Sequence, residues 1–279
     1  MRRYASILAV LVAGAIAGGD VVSTAAHNFG HQLVDKDALP FVDLELVIAV
    51  DVSYSMDVDE LVLQREGYAE AIVSKEFLHA LKTGSKRRVA VTYFEWSASG
   101  DQKVIVPWRL IDGPESADAV SAEIMQAPVR RGSRTSISGA IRFAIPLFDE
   151  NRYRGMRRVI DISGDGANNE GFPVTKARDA ALEQGITING LPIIVKGTTV
   201  SMMDIDDLDL YYQDCVIGGE GSFVLAIRDR EEFKEAIRTK LTLEVAGRTP
   251  QYWIVPAAEK EPRVSCVIGE EIWERHSRW

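Results

Sequence analysis

Residues 42–60 read VDLELVIAVDVSYSMDVDE, and this stretch decides the fold class. Residues 44–50 are almost continuously apolar, which is typical of a strand buried on both faces of a parallel sheet. The apolar run ends at Asp51, and Ser53 and Ser55 follow at alternate positions. The stretch therefore predicts a central strand that carries three small oxygen-bearing side chains just past its carboxyl end.

Beyond this strand, apolar runs alternate with amphipathic helical patterns, which indicates a parallel sheet covered by helices on both faces. A short polar turn separates the first two of the later strands and predicts that this pair is antiparallel. The predicted fold class is α/β: three layers, doubly wound, with a mostly parallel central sheet and one antiparallel edge strand. The later predicted strands are residues 88–96, 102–110, 157–163, 187–195 and 222–227.

Two helix boundaries are also predicted from the pattern. One helix is expected to run from about Leu61 and to stop near Gly84. A second begins at the hydroxyl-rich TSIS of residues 135–138, and Pro146 is expected to kink or end it.

The amino terminus has the pattern of a secretory signal peptide: two arginines, an apolar stretch and the small-residue sequence AIA at 15–17. We expect cleavage after residue 17, or as late as residue 25, and a leader segment over 18–42. The alternative is a retained membrane anchor, although the apolar stretch is shorter than the roughly 20 residues that a spanning helix needs. The protein is predicted to be exported, either to the periplasm or into the medium, with membrane attachment only if this segment is retained.

The regular pattern covers residues 43–247, and 248–279 is predicted to be a carboxyl-terminal extension without a clear period. The chain has two cysteines, Cys215 and Cys266. In an oxidising compartment such a pair suggests one disulfide, which would attach the extension to the domain; two unpaired thiols are the alternative.

The composition excludes some partners. The 279-residue chain has a formal net charge of −9 and no basic stripe. An acidic protein of this kind is a poor candidate for binding nucleic acid or anionic lipid. A protein partner remains, and the strand-end residues indicate its chemistry.

Ligands of open parallel sheets gather outside the carboxyl ends of the strands, where Asp51, Ser53 and Ser55 are predicted to lie. One carboxylate and two hydroxyls suit a hard divalent cation better than zinc or copper. Such an ion needs further oxygens, and two candidates are Thr135, at the start of a helix, and Asp165, just after the strand 157–163. The simpler alternatives are a helix cap for Thr135 and an Asp-Gly turn for Asp165.

These pieces resemble the von Willebrand factor A (vWA) family. The sequence DVSYS matches its D-x-S-x-S element, Thr135 falls at the position of its isolated threonine, and Asp165 in SGDG falls at that of its second aspartate. The stretches DVSYSM, SGDG and DCVIGG are similar to those of an uncharacterised bacterial family of exported vWA-like proteins. The resemblance implies a Rossmann-like fold and a metal-ion-dependent adhesion site at Asp51, Ser53, Ser55, Thr135 and Asp165.

The predicted function is that of an exported, non-enzymatic binding module whose divalent ion accepts an Asp or Glu from a partner protein. Mg²⁺ is the expected ion, with Mn²⁺ or Ca²⁺ as alternatives. A first rival is an Mg²⁺-dependent phosphoryl-transfer enzyme with Asp51 as nucleophile, although such enzymes of the haloacid dehalogenase type place an acid where this chain has Ser53. A second rival is a structural scaffold with a vestigial site. A third is a separate calcium loop at residues 165–170.

Overall fold

The computed structural model describes residues 39–195, 203–248 and 262–277. The predicted signal peptide, both cleavage points and the leader up to residue 38 lie outside the described residues. The described residues all belong to one unit that spans residues 36–279.

A five-stranded sheet forms the centre of this unit, in the order β4-β3-β2-β6-β7. Strands β2, β3, β6 and β7 are parallel, and β4 pairs antiparallel with β3 at one edge. A second small sheet joins β1 and β5. The strands are Phe41–Val42 (β1), Leu44–Asp51 (β2), Val89–Trp96 (β3), Gln102–Ile111 (β4), Arg154–Gly155 (β5), Arg158–Gly164 (β6) and Ile186–Pro192 (β7).

Helices cover both faces of the sheet, so the fold has three layers. Because side chains alternate along a strand, Leu46 and Ile48 of β2 pack on one face, and Val47 and Ala49 pack on the other. The first face is covered by α1, α2, α3 and α7, and the second by α4 and α5. The helices are Val58–Ile72 (α1), Lys75–Thr83 (α2), Pro114–Gln126 (α3), Ile137–Glu150 (α4), Val174–Leu182 (α5), Leu208–Tyr211 (α6), Phe233–Ala246 (α7) and Ile268–Ser277 (α8).

The predicted fold class is confirmed. All eight residues of β2 are buried, as their apolar character predicts for a central strand. Val50 of β2 lies beside Ser163 of β6, so the carboxyl ends of these two strands meet at one edge of the sheet. This register brings Asp51 and the segment after β6 together.

Three local predictions differ from the structure. The helix expected up to Gly84 is divided into α1 and α2, because the Ser74 side chain accepts a hydrogen bond from the Phe77 backbone N–H and starts a new helix. Helix α4 continues past Pro146, which lies on its exposed face, where water can hydrate the carbonyl that loses its partner. The strand predicted at 222–227 forms only isolated bridges, at Val224 and Ile227.

The predicted disulfide between Cys215 and Cys266 is present, with a Cα–Cα distance of 5.4 Å. It attaches the segment 262–277, which includes α8, to the domain. Among the described residues, no helix is long and apolar enough to cross a membrane.

Candidate metal centre

Asp51 ends β2 and is completely buried. Its Oδ1 accepts a 2.7 Å hydrogen bond from the Ser53 backbone N–H, which fixes the carboxylate in an Asx turn. Its Oδ2 is buried and has no hydrogen-bond partner among the described residues. A Cβ on Gly164 would come within 2.8 Å of this oxygen, so the end of β6 approaches Asp51 closely only because residue 164 is glycine.

The side chains of Ser53, Ser55 and Asp165 form a continuous chain of oxygen atoms. The Oγ atoms of Ser53 and Ser55 lie 2.8 Å apart, and the Ser55 hydroxyl donates a 2.7 Å hydrogen bond to Asp165 Oδ1. Ser53 is buried, whereas Ser55 is exposed. The chain therefore runs from the buried strand end out to the surface.

Thr135 approaches the loop after β6 from a third segment of the chain. A Cβ on Gly166 would lie 3.7 Å from Thr135 Oγ1, which puts this hydroxyl against the loop that begins at Asp165. The cap of α4 is Ser136, whose side chain accepts from the Gly139 backbone N–H. The helix-cap alternative for Thr135 is therefore wrong, and its hydroxyl is not used to start the helix.

Two carboxylates of this group lie in a setting that disfavours their charged forms. Burial raises the pKa of Asp51 well above its usual value, and the charge of Asp165 raises it further. Burial also raises the pKa of Asp165, and the charge of Glu60 adds to the effect, against the lowering hydrogen bond from Ser55. Two converging carboxylates and an unpartnered buried oxygen are what a divalent ion would neutralise and coordinate.

The types of donor atom in the candidate centre indicate the class of metal ion that it would suit. Within the part of the chain that the structure describes, no three or more His, Cys, Asp or Glu side chains gather to hold a metal. The five candidate ligands include only two carboxylates, and the other three are hydroxyls. An all-oxygen set of this kind would suit a hard divalent ion.

A pair of asparagines, whose role the sequence pattern did not reveal, holds the loop after β6 in place. Asn169 accepts a hydrogen bond from the Thr135 backbone N–H (3.0 Å) and donates one to the Thr135 carbonyl (2.8 Å). The buried Asn168 accepts at Oδ1 from the Ser138 backbone N–H (2.9 Å). The Asn168 side-chain oxygen is thus engaged by the backbone of α4, a structural role that disfavours the separate calcium loop at 165–170.

The family profile described as "Protein of unknown function (DUF1194)" matches residues 41–249. The chain belongs to the DUF1194 family. No curated protein matches its sequence.

The fold of this DUF1194 protein is similar to that of several solved structures. The proximal thread matrix protein 1 of the mussel byssus, with a zinc-occupied MIDAS motif, is 15% identical (TM-score 0.51), over 75% of this chain and 49% of that chain. The pilus adhesin SpaC of Lactobacillus rhamnosus GG is 11% identical (TM-score 0.54), over 75% and 31%. A von Willebrand factor type A protein of Catenulispora acidiphila is 18% identical (TM-score 0.47), over 74% and 43%.

At such low identities these likenesses show the fold alone, which is α/β with a mostly parallel sheet between two layers of helices. The DUF1194 chain spans about half of the mussel protein and less than a third of the pilus adhesin. What those longer proteins do as a whole is therefore not carried over to this one.

The carboxyl-terminal segment of the DUF1194 protein packs directly on the loop of the candidate centre. A Cβ on Gly269, at the start of α8, would lie 2.1 Å from the Asn168 carbonyl oxygen. Asn168 Nδ2 donates a 2.7 Å hydrogen bond to Glu270 Oε1. Within the predicted carboxyl-terminal extension, Ile268–Ser277 therefore form a helix that supports the loop, and the disulfide at Cys266 holds the start of this helix.

We expect the double substitution Cys215→Ser, Cys266→Ser to release this segment without unfolding the sheet. Without the covalent link, α8 keeps only its local contacts, and its opening becomes frequent. Hydrogen exchange at the backbone amides of Ile268–Ser277 should accelerate by about tenfold or more, while exchange in β2 and β6 stays as in the parent. Unchanged protection of α8 in the double variant would show that packing alone holds the segment.

Proposed function

We propose that this protein is an exported, metal-dependent protein-interaction module. Asp51, Ser53, Ser55, Thr135 and Asp165 would hold a divalent ion, and an Asp or Glu of a partner protein would complete its coordination. The observation that carries this proposal is the buried Oδ2 of Asp51, which has no hydrogen-bond partner among the described residues and lies against Gly164, the residue before Asp165.

The chemistry of the ligand set explains why a partner would bind there. Two carboxylates balance the charge of one divalent ion, and three hydroxyls add no negative charge. An ion held in this way would still attract another anionic oxygen. Ser55 is exposed at the outer end of the oxygen chain, so a carboxylate could approach from that side. Mg²⁺ is the proposed ion, with Mn²⁺ and Ca²⁺ as the alternatives.

Two further features support the proposal that this protein is exported and is not an enzyme. The residue two positions after Asp51 is Ser53, whose buried hydroxyl contacts Ser55, and a serine does not replace the second aspartate of an aspartyl phosphotransferase. The Cys215–Cys266 disulfide fits an oxidising compartment, such as the periplasm or the medium.

The test is to titrate Mg²⁺ and Mn²⁺ into the full chain by calorimetry and then to add a glycine-rich peptide with one aspartate. We expect one metal site per chain, a melting temperature that rises with metal because only the native state binds it, and peptide binding that EDTA abolishes.

A matched peptide with asparagine in place of aspartate is the control. A folded chain that binds neither ion would favour the vestigial scaffold. Metal binding without any peptide preference would contradict the role of the partner carboxylate.

A further inference from the structure

Two arginines lie on a loop that runs beside the candidate metal centre. The sequence RRGSRT covers residues 130–135 and ends at Thr135. Its Gly132 pairs with Ser53, and the Gly132 backbone N–H donates a 2.8 Å hydrogen bond to the Val52 carbonyl. A Cβ at residue 132 would come 2.0 Å from Ser97 Oγ, so only glycine allows the loop to lie this close. Arg131 and Arg134 therefore flank the centre.

Arg131 is held over the loop that carries the serines. Its Nη2 donates a 2.8 Å hydrogen bond to the Tyr54 carbonyl and another to the Met56 carbonyl. The guanidinium lies 5.2 Å from the centre of the Tyr54 ring. Tyr54 stands between Ser53 and Ser55, and 62% of it is exposed. Such an exposed aromatic residue beside a fixed guanidinium is typical of a contact surface.

Arg134 is held by a different element. Its guanidinium lies 3.3 Å from the centre of the Trp273 ring on α8. Its backbone has φ +71°, a left-handed conformation that costs a non-glycine residue energy and that the surrounding contacts must support. The supported segment 262–277 thus contributes an aromatic side chain to the edge of the candidate centre.

In the part of the chain that the structure describes, neither guanidinium is neutralised by an ion pair. Across residues 39–195, 203–248 and 262–277, no carboxylate forms an ion pair with Arg131 or Arg134, although their neighbour Arg130 pairs with Asp101. The chain as a whole has a net charge of −9, so two fixed, unpaired cations at one place are a local reversal of its charge. The two guanidinium groups therefore add positive charge beside a centre whose own side chains are carboxylates and hydroxyls.

We propose that Arg131 and Arg134, with Tyr54 and Trp273, form an arginine rim that recognises an acidic peptide segment. One carboxylate of the segment would bind the ion, and its neighbours would bind the guanidinium forks, whose geometry matches a carboxylate. This inference rests on the proposed function and adds to it: the partner presents several carboxylates close together, and the segment lies across the rim.

The experiment compares two labelled peptides by fluorescence polarisation with the Mg²⁺-loaded full chain at low ionic strength. One peptide has a single aspartate among glycines, and the other has glutamates on both sides of that aspartate. The parent should bind the glutamate-flanked peptide about three- to thirtyfold more tightly than the single-aspartate peptide. Two exposed ion pairs supply a gain in affinity of this size. Added salt should reduce this advantage.

The double variant Arg131→Gln, Arg134→Gln should lose the advantage, measured at saturating Mg²⁺ as the ratio of its affinities for the two peptides. The matched control is Arg152→Gln, which removes an exposed arginine at the opposite edge of the sheet and should leave the preference unchanged. An equal affinity of the parent for both peptides, or an advantage that survives in the double variant, would overturn the arginine rim alone. If the parent binds neither peptide in a metal-dependent way, the proposed function is overturned as well.

Discussion

The substitution Asp51→Asn is expected to weaken Mg²⁺ binding by the full chain by on the order of a hundredfold or more. Changes to residues that only orient a metal ligand already cost about 10–100-fold in affinity, and Asp51 would be a ligand itself. Asparagine keeps the shape of the side chain and can still accept the Ser53 backbone hydrogen bond, but it removes the charge and one anionic oxygen. Calorimetric titration of parent and variant measures the difference.

Two controls separate the loss of a ligand from damage to the fold. Asp118→Asn removes a negative charge from the exposed surface of α3 and should bind Mg²⁺ as the parent does. In EDTA, Asp51→Asn should melt no lower than the parent, because it removes a buried charge that no cation balances in the absence of metal. Asp165→Asn should reproduce the loss of affinity. A folded Asp51→Asn chain with the affinity of the parent would exclude Asp51 from the site.

The sequence predicts those features of this fold that depend on local pattern and strand order. The apolar run of β2, the antiparallel β3–β4 edge and the Cys215–Cys266 pair are all readable from residue type and spacing. The same reasoning places Asp51 and Asp165 at adjacent strand ends, and the β2–β6 register shows why they meet. Their role as metal ligands remains a proposal.

The remaining features depend on contacts between distant segments. Nothing in the sequence around Asn168 shows that its side chain joins α4 to α8, because Ser138 and Glu270 are brought to it only by the tertiary fold. The contact of Arg134 with Trp273 crosses the whole second half of the domain. The division between α1 and α2 was missed for a local reason: one serine cap outweighed a continuous helical pattern.

A buried group of charges behind the candidate centre was also invisible in the sequence. Lys240 of α7 forms ion pairs with Asp161 of β6 and with Glu244, and all three side chains are essentially inaccessible. Asn189 of β7 donates a 3.0 Å hydrogen bond to Glu244 Oε1. Burial lowers the pKa of Lys240, but the two carboxylates outweigh this effect and raise it. The ammonium group therefore fastens the last helix of the vWA-like domain to the sheet.

The substitution Lys240→Met is expected to lower the free energy of unfolding by about 3–5 kcal/mol, because it leaves two carboxylates in the core without a cation. Urea denaturation followed by circular dichroism measures the loss. The triple variant Lys240→Met, Asp161→Asn, Glu244→Gln should recover much of it, since it removes the charges and leaves Asn189 with an oxygen to donate to. A triple variant no more stable than Lys240→Met would show that the loss came from packing.

The pH dependence gives an independent check on the same group. Burial raises the pKa of Asp161, and the negative charge of Glu244 raises it further. Lys240 lowers it, and the net pKa is about 7. The unfolded chain titrates this residue near pH ~3.9, so between the two values the native state holds more protons than the unfolded state. Through Asp161, the free energy of unfolding of the parent should therefore fall as the pH rises from about 4 to about 7, and Asp161→Asn should flatten this slope.

The loss of stability in Lys240→Met should also depend on pH. Without Lys240 the two carboxylates are harder to ionise, so the variant should lose more free energy of unfolding, relative to the parent, at pH ~8 than at pH ~6. An equal loss at both pH values would show that Lys240 does not act through its charge.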